Sequence, residues 1–201
     1  TVKEMIASIF KEAVGSTQTL MTHGNLNNEI GLPLTLLQVR SEHRLAVIEL
    51  GMNHPGETAE LAAIAKGNIA LINNAQREHQ EFMQSIDAVA NEHAAVILAL
   101  PHDGIAVFPA ETPYTALWRE AAGSRKQIDF AWQSSKTEKS NAVVRGYALS
   151  NDAIQIESPA GAIQVQLKTL GEHNCANALA ACAVALAAGI SLDTIRLGLE
   201  K

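Results

Sequence analysis

The chain has 201 residues, 47% hydrophobic and 18% charged, with 15 basic and 21 acidic residues for a net charge of −6. That balance excludes a disordered tail, and a chain of this length can bury roughly 70% of its surface around one core. Without a Lys/Arg block, an acidic chain is not expected to bind nucleic acid non-specifically. No apolar run nears the roughly 20 residues of a membrane span, and Thr1–Met5 lacks the basic and apolar regions of a signal peptide. Two cysteines cannot staple a fold this large, so a reducing, cytoplasmic compartment is expected.

In chain order, Val2, Met5, Ile6, Ile9, Phe10 and Val14 follow the period of a helix with one buried face. The chain starts inside this pattern, without a Met, and is read as an excerpt of a larger protein. Gly15-Ser16 ends the helix, Thr17 to Thr22 reads as a short strand, and a polar loop from His23 to Gly31 follows. Pro33 sits where a helix can start. Leu45 to Leu50 is an apolar run broken by Glu49, as a buried parallel strand reads. Helix, strand (Ile69–Asn73), helix (Ile86–Leu100, capped by Ser85), strand (Gly104–Phe108), helix (Thr112–Ala122) and strand (Gln127–Trp132) then alternate. Three strands in succession, 141–149, 153–158 and 162–170, are separated by turn residues and predict an antiparallel meander. An Ala-rich helix from Asn174 to Ala188 ends at Gly189, and Ser191 caps a last helix. The expected fold is α/β: a mainly parallel sheet with helices on both faces, extended by the meander.

Ligands of open α/β sheets bind beyond the carboxyl ends of the strands. Two apolar strands here end in polar groups: Glu49, followed by Gly51-Met52-Asn53-His54-Pro55-Gly56, and Asn73-Asn74, running on to Arg77, His79 and Glu81. A carboxylate and an imidazole at neighbouring strand ends can share a divalent metal, and an oxygen-rich site with few protein ligands suits Mg²⁺ when phosphate supplies the rest. A capped strand end for Glu49 and a surface histidine for His79 are the structural alternatives. His173-Asn174-Cys175-Ala176-Asn177 opens the long helix, where small residues allow close approach of a ligand and amides can bond a nucleobase; an ordinary Asn cap is the alternative. Cys175 and Cys182 share one helix face and read as small core residues.

These segments together resemble one family. Thr22, then Gly24-Asn25-Leu26-Asn27-Asn28-Glu29-Ile30-Gly31 and Pro33-Leu34-Thr35-Leu36-Leu37, is similar to the signature loop of the Mur ligases. Glu49-Leu50-Gly51-Met52-Asn53 with Pro55-Gly56-Glu57 resembles that family's metal-binding strand end. His79-x-Glu81-Phe82 resembles its H-x-E segment, and Gly171-x-His173-Asn174-x-x-Asn177-Ala178-Leu179 its adenine-side helix. The Asn-rich loop points to the branch that adds D-Ala-D-Ala to UDP-N-acetylmuramoyl-tripeptide. Another Mur ligase or a folylpolyglutamate synthetase is the near alternative. A non-catalytic nucleotide- and metal-binding module is the reading for the excerpt alone. A hydrolase built on His43, His54, His79, His93 and His102 is disfavoured, because their spacing matches no compact ligand motif.

The resemblance implies a P-loop NTPase-like central ATP-binding domain over 1–201, without the phosphate loop, which in the family directly precedes a sequence like Thr1-Val2-Lys3-Glu4-Met5, and without the flanking N- and C-terminal domains. It implies ATP and Mg²⁺ as cofactors and ligation through an acyl phosphate in peptidoglycan precursor synthesis. It implies small-molecule partners, the UDP-linked tripeptide and D-Ala-D-Ala, and a monomeric parent. It makes Glu49 and His79 the catalytic metal ligands, sets Asn174, Asn177 and His173 beside the nucleotide, and sets Asn25, Asn27 and Asn28 in the substrate-facing loop. Asn74, Arg77 and Glu81 have weaker claims. Many relatives carry a carbamylated lysine after the H-x-E segment, but no lysine occurs between Lys66 and Lys126. His93 or Glu92 stands in that stretch as a replacement metal ligand, unless the second cation is dispensed with.

Overall fold

The computed structural model describes residues 1–75, 85–150, 153–168 and 171–201. Helix α1 (Val2–Val14) buries Ile6, Ile9 and Phe10, and Gly15 at φ +91° ends it in a conformation that side chains resist. The chain continues through β1 (Thr19–Met21), α2 (Gly31–Leu36), β2 (Leu45–Val47), α3 (Glu57–Ala65) and β3 (Ile69–Leu71). It goes on through α4 (Ile86–Leu98), β4 (Ile105–Pro109), α5 (Thr115–Ala122) and β5 (Lys126–Gln133). The meander β6 (Val144–Ser150), β7 (Ala153–Ser158) and β8 (Gly161–Gln166) precedes α6 (Glu172–Ala187) and α7 (Leu192–Leu199).

Among the described residues the strands form two sheets. β1 and β2 pair in parallel, in register Thr19 to Leu45. The larger sheet runs β3-β4-β5-β6-β7-β8, parallel from β3 to β6 and antiparallel from β6 to β8. The expected meander forms, and its first strand joins the parallel sheet directly through 134–143, without a crossover helix. The apolar runs at 45–50 and 69–73 make shorter ladders than their composition suggests, three residues each; the Glu49 N–H already turns to the Thr22 side chain, while the Ile72 N–H still donates to the Val107 carbonyl.

Period-two alternation assigns the faces of the large sheet. Ile69, Leu71, Ile105 and Val107 turn to the core of α1, α6 and α7. Ala70, Ile72, Ala106 and Phe108 turn to the core of α4 and α5. Helices therefore cover both faces, as a parallel sheet requires. In the second core Trp118 is fully buried, and its indole N–H donates to the Ala90 carbonyl at 3.0 Å, joining α5 to α4. On the other face α1 and α7 touch through backbone: a Cβ at Gly198 would lie 2.5 Å from Ile9 Cα. Ser8 Oγ also donates to the Gly198 carbonyl at 2.7 Å. Helix α6 lies between α1 and the sheet, with α7 packed directly on β8, and it is buried on every side from Ala178 to Ala185.

Candidate functional site

Glu49 follows β2 by two residues and is held at three points. Its N–H donates to Thr22 Oγ1 at 2.9 Å, Thr22 itself being fully buried at the end of β1. Its Oε1 accepts from Asn27 Nδ2 at 2.7 Å. Its Oε2 lies 3.4 Å from Lys3 Nζ, which donates to the Gly24 carbonyl at 2.6 Å. The loop 22–31 thus folds back over the strand end. Gly51 makes this closeness possible: its N–H donates to the Asn27 carbonyl at 2.8 Å, and a Cβ there would lie 2.7 Å from the Asn27 side chain.

At the neighbouring strand end, Asn73 Nδ2 donates to Asn177 Oδ1 at 2.9 Å, tying the exit of β3 to the second turn of α6. Asn74 and His93 line the same cavity as Glu49, Lys3 and Asn73. His93 and Glu92 part company here. Both Glu92 oxygens accept from the Gly56 N–H, at 3.0 and 2.9 Å, and Oε1 also accepts from the Thr58 N–H at 2.9 Å. The Glu92 carboxylate therefore caps the positive N-terminus of α3 from a different helix. Of the two candidates for the missing carbamate, His93 faces the cavity and Glu92 is committed to a helix end.

The other expected residues divide as well. Asn28 Oδ1 accepts from the Ile30 and Gly31 N–H groups, at 3.3 and 2.9 Å, and starts α2. Asn25 is exposed in the same loop, and its carbonyl accepts from the Asn27 N–H. His173 is exposed and Asn174 half-buried in the first turn of α6. His79, with Arg77 and Glu81, lies outside the described residues. Among the remaining histidines, His43 accepts from the Arg40 N–H and His54 pairs with Glu57 at 2.9 Å, each within its own turn.

Glu57 closes the glycine-rich segment after Glu49. Its carboxylate accepts from the Asn53 and His54 N–H groups, at 2.6 and 3.1 Å. The Asn53 amide first, and His54 beside it, hold its pKa below the ordinary value. Burial raises both thiols, Cys182 to about 12 and Cys175 less far, so both behave as small core residues.

Among the described residues no group of three or more His, Cys, Asp or Glu could hold a metal. The described residues by themselves form no protein cage for a transition metal. One partly exposed carboxylate, flanked by amide oxygens at the next strand end, does fit a hard cation that takes its remaining ligands from phosphate and water. Sequence reasoning quoted Lys3 and Thr22 within motifs but gave neither a role beside Glu49. Lys3 was findable: it falls on the apolar stripe of α1, three residues before Ile6, where a lysine demands a partner.

Between the sheets runs a cavity of about 730 Å³. It is lined along its length by Arg44 to Glu49 on one side and Lys66 to Asn74 on the other, and it reaches Thr1 and Val2 at the start of α1. β2 and β3 thus face each other across it without pairing.

A family model described as Mur ligase middle domain matches residues 1–185. The chain is 37% identical over 201 residues to the UDP-N-acetylmuramoyl-tripeptide--D-alanyl-D-alanine ligase of Escherichia coli K12, covering all of this chain and 44% of that protein. A crystal structure of MurF from Acinetobacter baumannii superposes with a TM-score of 0.90 at 35% identity, over all of this chain and 43% of that one. MurF ligase from Thermotoga maritima, crystallised in complex with ADP, matches with a TM-score of 0.80 over 98% of this chain and 44% of that one; at 23% identity it shows the fold alone. The chain spans less than half the length of these relatives.

Proposed function

Because the chain belongs to the Mur ligase family through its middle domain, we propose that it is the central, ATP-handling part of an enzyme that joins D-Ala-D-Ala to UDP-N-acetylmuramoyl-tripeptide. The observation that carries this reading is the Asn27–Glu49 hydrogen bond. It joins the loop that resembles the substrate-facing segment to the carboxylate that resembles the metal ligand. The name of the 37% identical E. coli relative supports the choice of branch, and the T. maritima relative, crystallised in complex with ADP, shows that the shared fold can take a nucleotide.

In this reading the tripeptide carboxylate attacks the γ-phosphorus, ADP leaves, and an acyl phosphate results. The amine of D-Ala-D-Ala then attacks the acyl carbon, loses a proton and expels phosphate to leave an amide. Mg²⁺ supplies charge neutralisation between a carboxylate and a triphosphate, which otherwise repel. Glu49 and His79 would hold it, and His93, which lines the same cavity, would serve a second cation where one is bound. Asn27 orients Glu49, Asn25 and Asn28 shape the loop that meets the tripeptide, and Asn174, Asn177 and His173 border the nucleotide.

The cavity between β2 and β3 supports the expectation that the phosphate loop belongs to sequence outside this chain. Leu45, Val47, Ile69 and Leu71 flank one face of that slot and the helices α3 and α4 the other. A parallel strand, apolar on both faces, fits it and would deliver the chain to Thr1 beside Glu49.

The test is phosphate release by the full-length enzyme with ATP, Mg²⁺, UDP-N-acetylmuramoyl-tripeptide and D-Ala-D-Ala, each omitted in turn. Release should require both substrates, and Glu49→Gln should lower it at least about a hundredfold, as expected when a metal-held transition-state charge loses its ligand. Release without D-Ala-D-Ala, or with a different amine, would move the chain to another ligase of the family.

A further inference from the structure

Lys3 is in the wrong place for an ordinary lysine. It is the second residue of α1, where the helix dipole disfavours positive charge, and its side chain is only 9% exposed. A buried ammonium persists only with partners. Its neighbour Glu4, at 3.8 Å and 60% exposed, is a weak one. The two that remain belong to different segments: the Gly24 carbonyl of the Asn-rich loop, and Glu49 at the end of β2. Asn27, from that same loop, holds the other oxygen of Glu49.

We propose that Lys3 is a positioning residue that locks the loop 22–31 to Glu49 and so aims the Glu49 carboxylate at the divalent cation. The inference rests on Glu49 being a ligand of that cation. The chemistry is specific. Each carboxylate oxygen has two lone pairs. Asn27 hydrogen-bonds one oxygen and the Lys3 ammonium holds the other as an ion pair at 3.4 Å, which together restrain the group from both ends on the wall of the cavity. An ammonium suits the task because its three donors reach a carbonyl and a carboxylate in different directions at once.

The consequence runs against simple electrostatics. Removing a positive charge 3.4 Å from a ligand oxygen should by charge alone tighten cation binding. If Lys3 aims the ligand, its removal weakens binding instead, about tenfold, the lower end of what losing a ligand-orienting partner costs.

The experiment measures Mn²⁺ binding by electron paramagnetic resonance in the full-length enzyme, saturated with UDP-N-acetylmuramoyl-tripeptide and a non-hydrolysable ATP analogue. Wild type is compared with Lys3→Met, Lys3→Arg and Glu49→Gln. Lys3→Met should weaken Mn²⁺ about tenfold and lower kcat with the KM for ATP unchanged, and Lys3→Arg should recover most of both. Should Lys3→Met lose its cooperative melt, Lys3→Gln, polar and shorter, carries the same expectation. Unchanged or tighter Mn²⁺ binding in the Lys3 variants, with Glu49→Gln impaired, overturns the role of Lys3. Wild-type Mn²⁺ affinity in Glu49→Gln overturns the ligand assignment beneath it.

Discussion

Strands β4 and β2 are alike in composition and unlike in circumstance. Ala106, Val107 and Phe108 of β4 are fully buried, with a paired strand on each edge and a helical layer on each face. Ala46, at the centre of β2, is exposed, and β2 pairs on one edge only. Isolated apolar strands with an open edge are a liability that proteins normally cover. The closed half around β4 is a scaffold that supplies stability. The open half around β2 carries the polar constellation at Glu49, where backbone and side chains stay available to something else.

That contrast can be broken from either side. The largest effect is expected in the closed half. Trp118→Ala removes a fully buried ring and its bond to Ala90, and should cost about 3–5 kcal/mol in guanidinium unfolding. A loss under about 1 kcal/mol would mean that this half is not closely packed. Next comes the open half's own staple. Glu92→Ala leaves the Gly56 and Thr58 amides without their carboxylate and should cost about 1–2 kcal/mol. Hydrogen exchange should accelerate at those amides while β4 amides stay protected; equal acceleration in β4 would erase the distinction between the halves.

The smallest effect sharpens the comparison through pH. The folded-state pKa of Glu57 lies below its ordinary 4.5 because the Asn53 and His54 amides stabilise the carboxylate. Its contribution is therefore complete above about pH 4.5 and is lost as the pH falls through the lowered value. In Glu57→Gln that portion of acid sensitivity should vanish. Urea melts from pH 7 downward should show wild type and variant converging in the acid range, and parallel curves would contradict the assignment.

Most of the scaffold was legible in the sequence because it follows period. The 3.6-residue spacing of Ile6, Ile9 and Phe10, the apolar runs at 69–72 and 105–108, and the turn residues between the meander strands each report local physics. The separation of β2 from β3 was not legible, since nothing in Leu45-Ala46-Val47 says what lies beside it. In the candidate site, Glu49 and Asn27 were each named from the sequence, but their hydrogen bond depends on how loop 22–31 folds back. Asn73 and Asn177 were both named, yet a bond between residues 104 apart in sequence has no local signature. Lys3 did leave a signal, a charge on an apolar stripe. Glu92 left a misleading one, since its alignment with a metal-ligand position says nothing of the helix end it caps.

Helix α6 carries a last consequence. A helix packed on one side tolerates substitution with a rhythm: permissive and intolerant positions recur every third or fourth residue. From Ala178 to Ala185 every residue is buried, so no such rhythm can exist there. In a saturation-mutagenesis library the profile across α1 should oscillate, while that across 178–185 should be flat and low, with enlargement of any alanine rejected regardless of its phase.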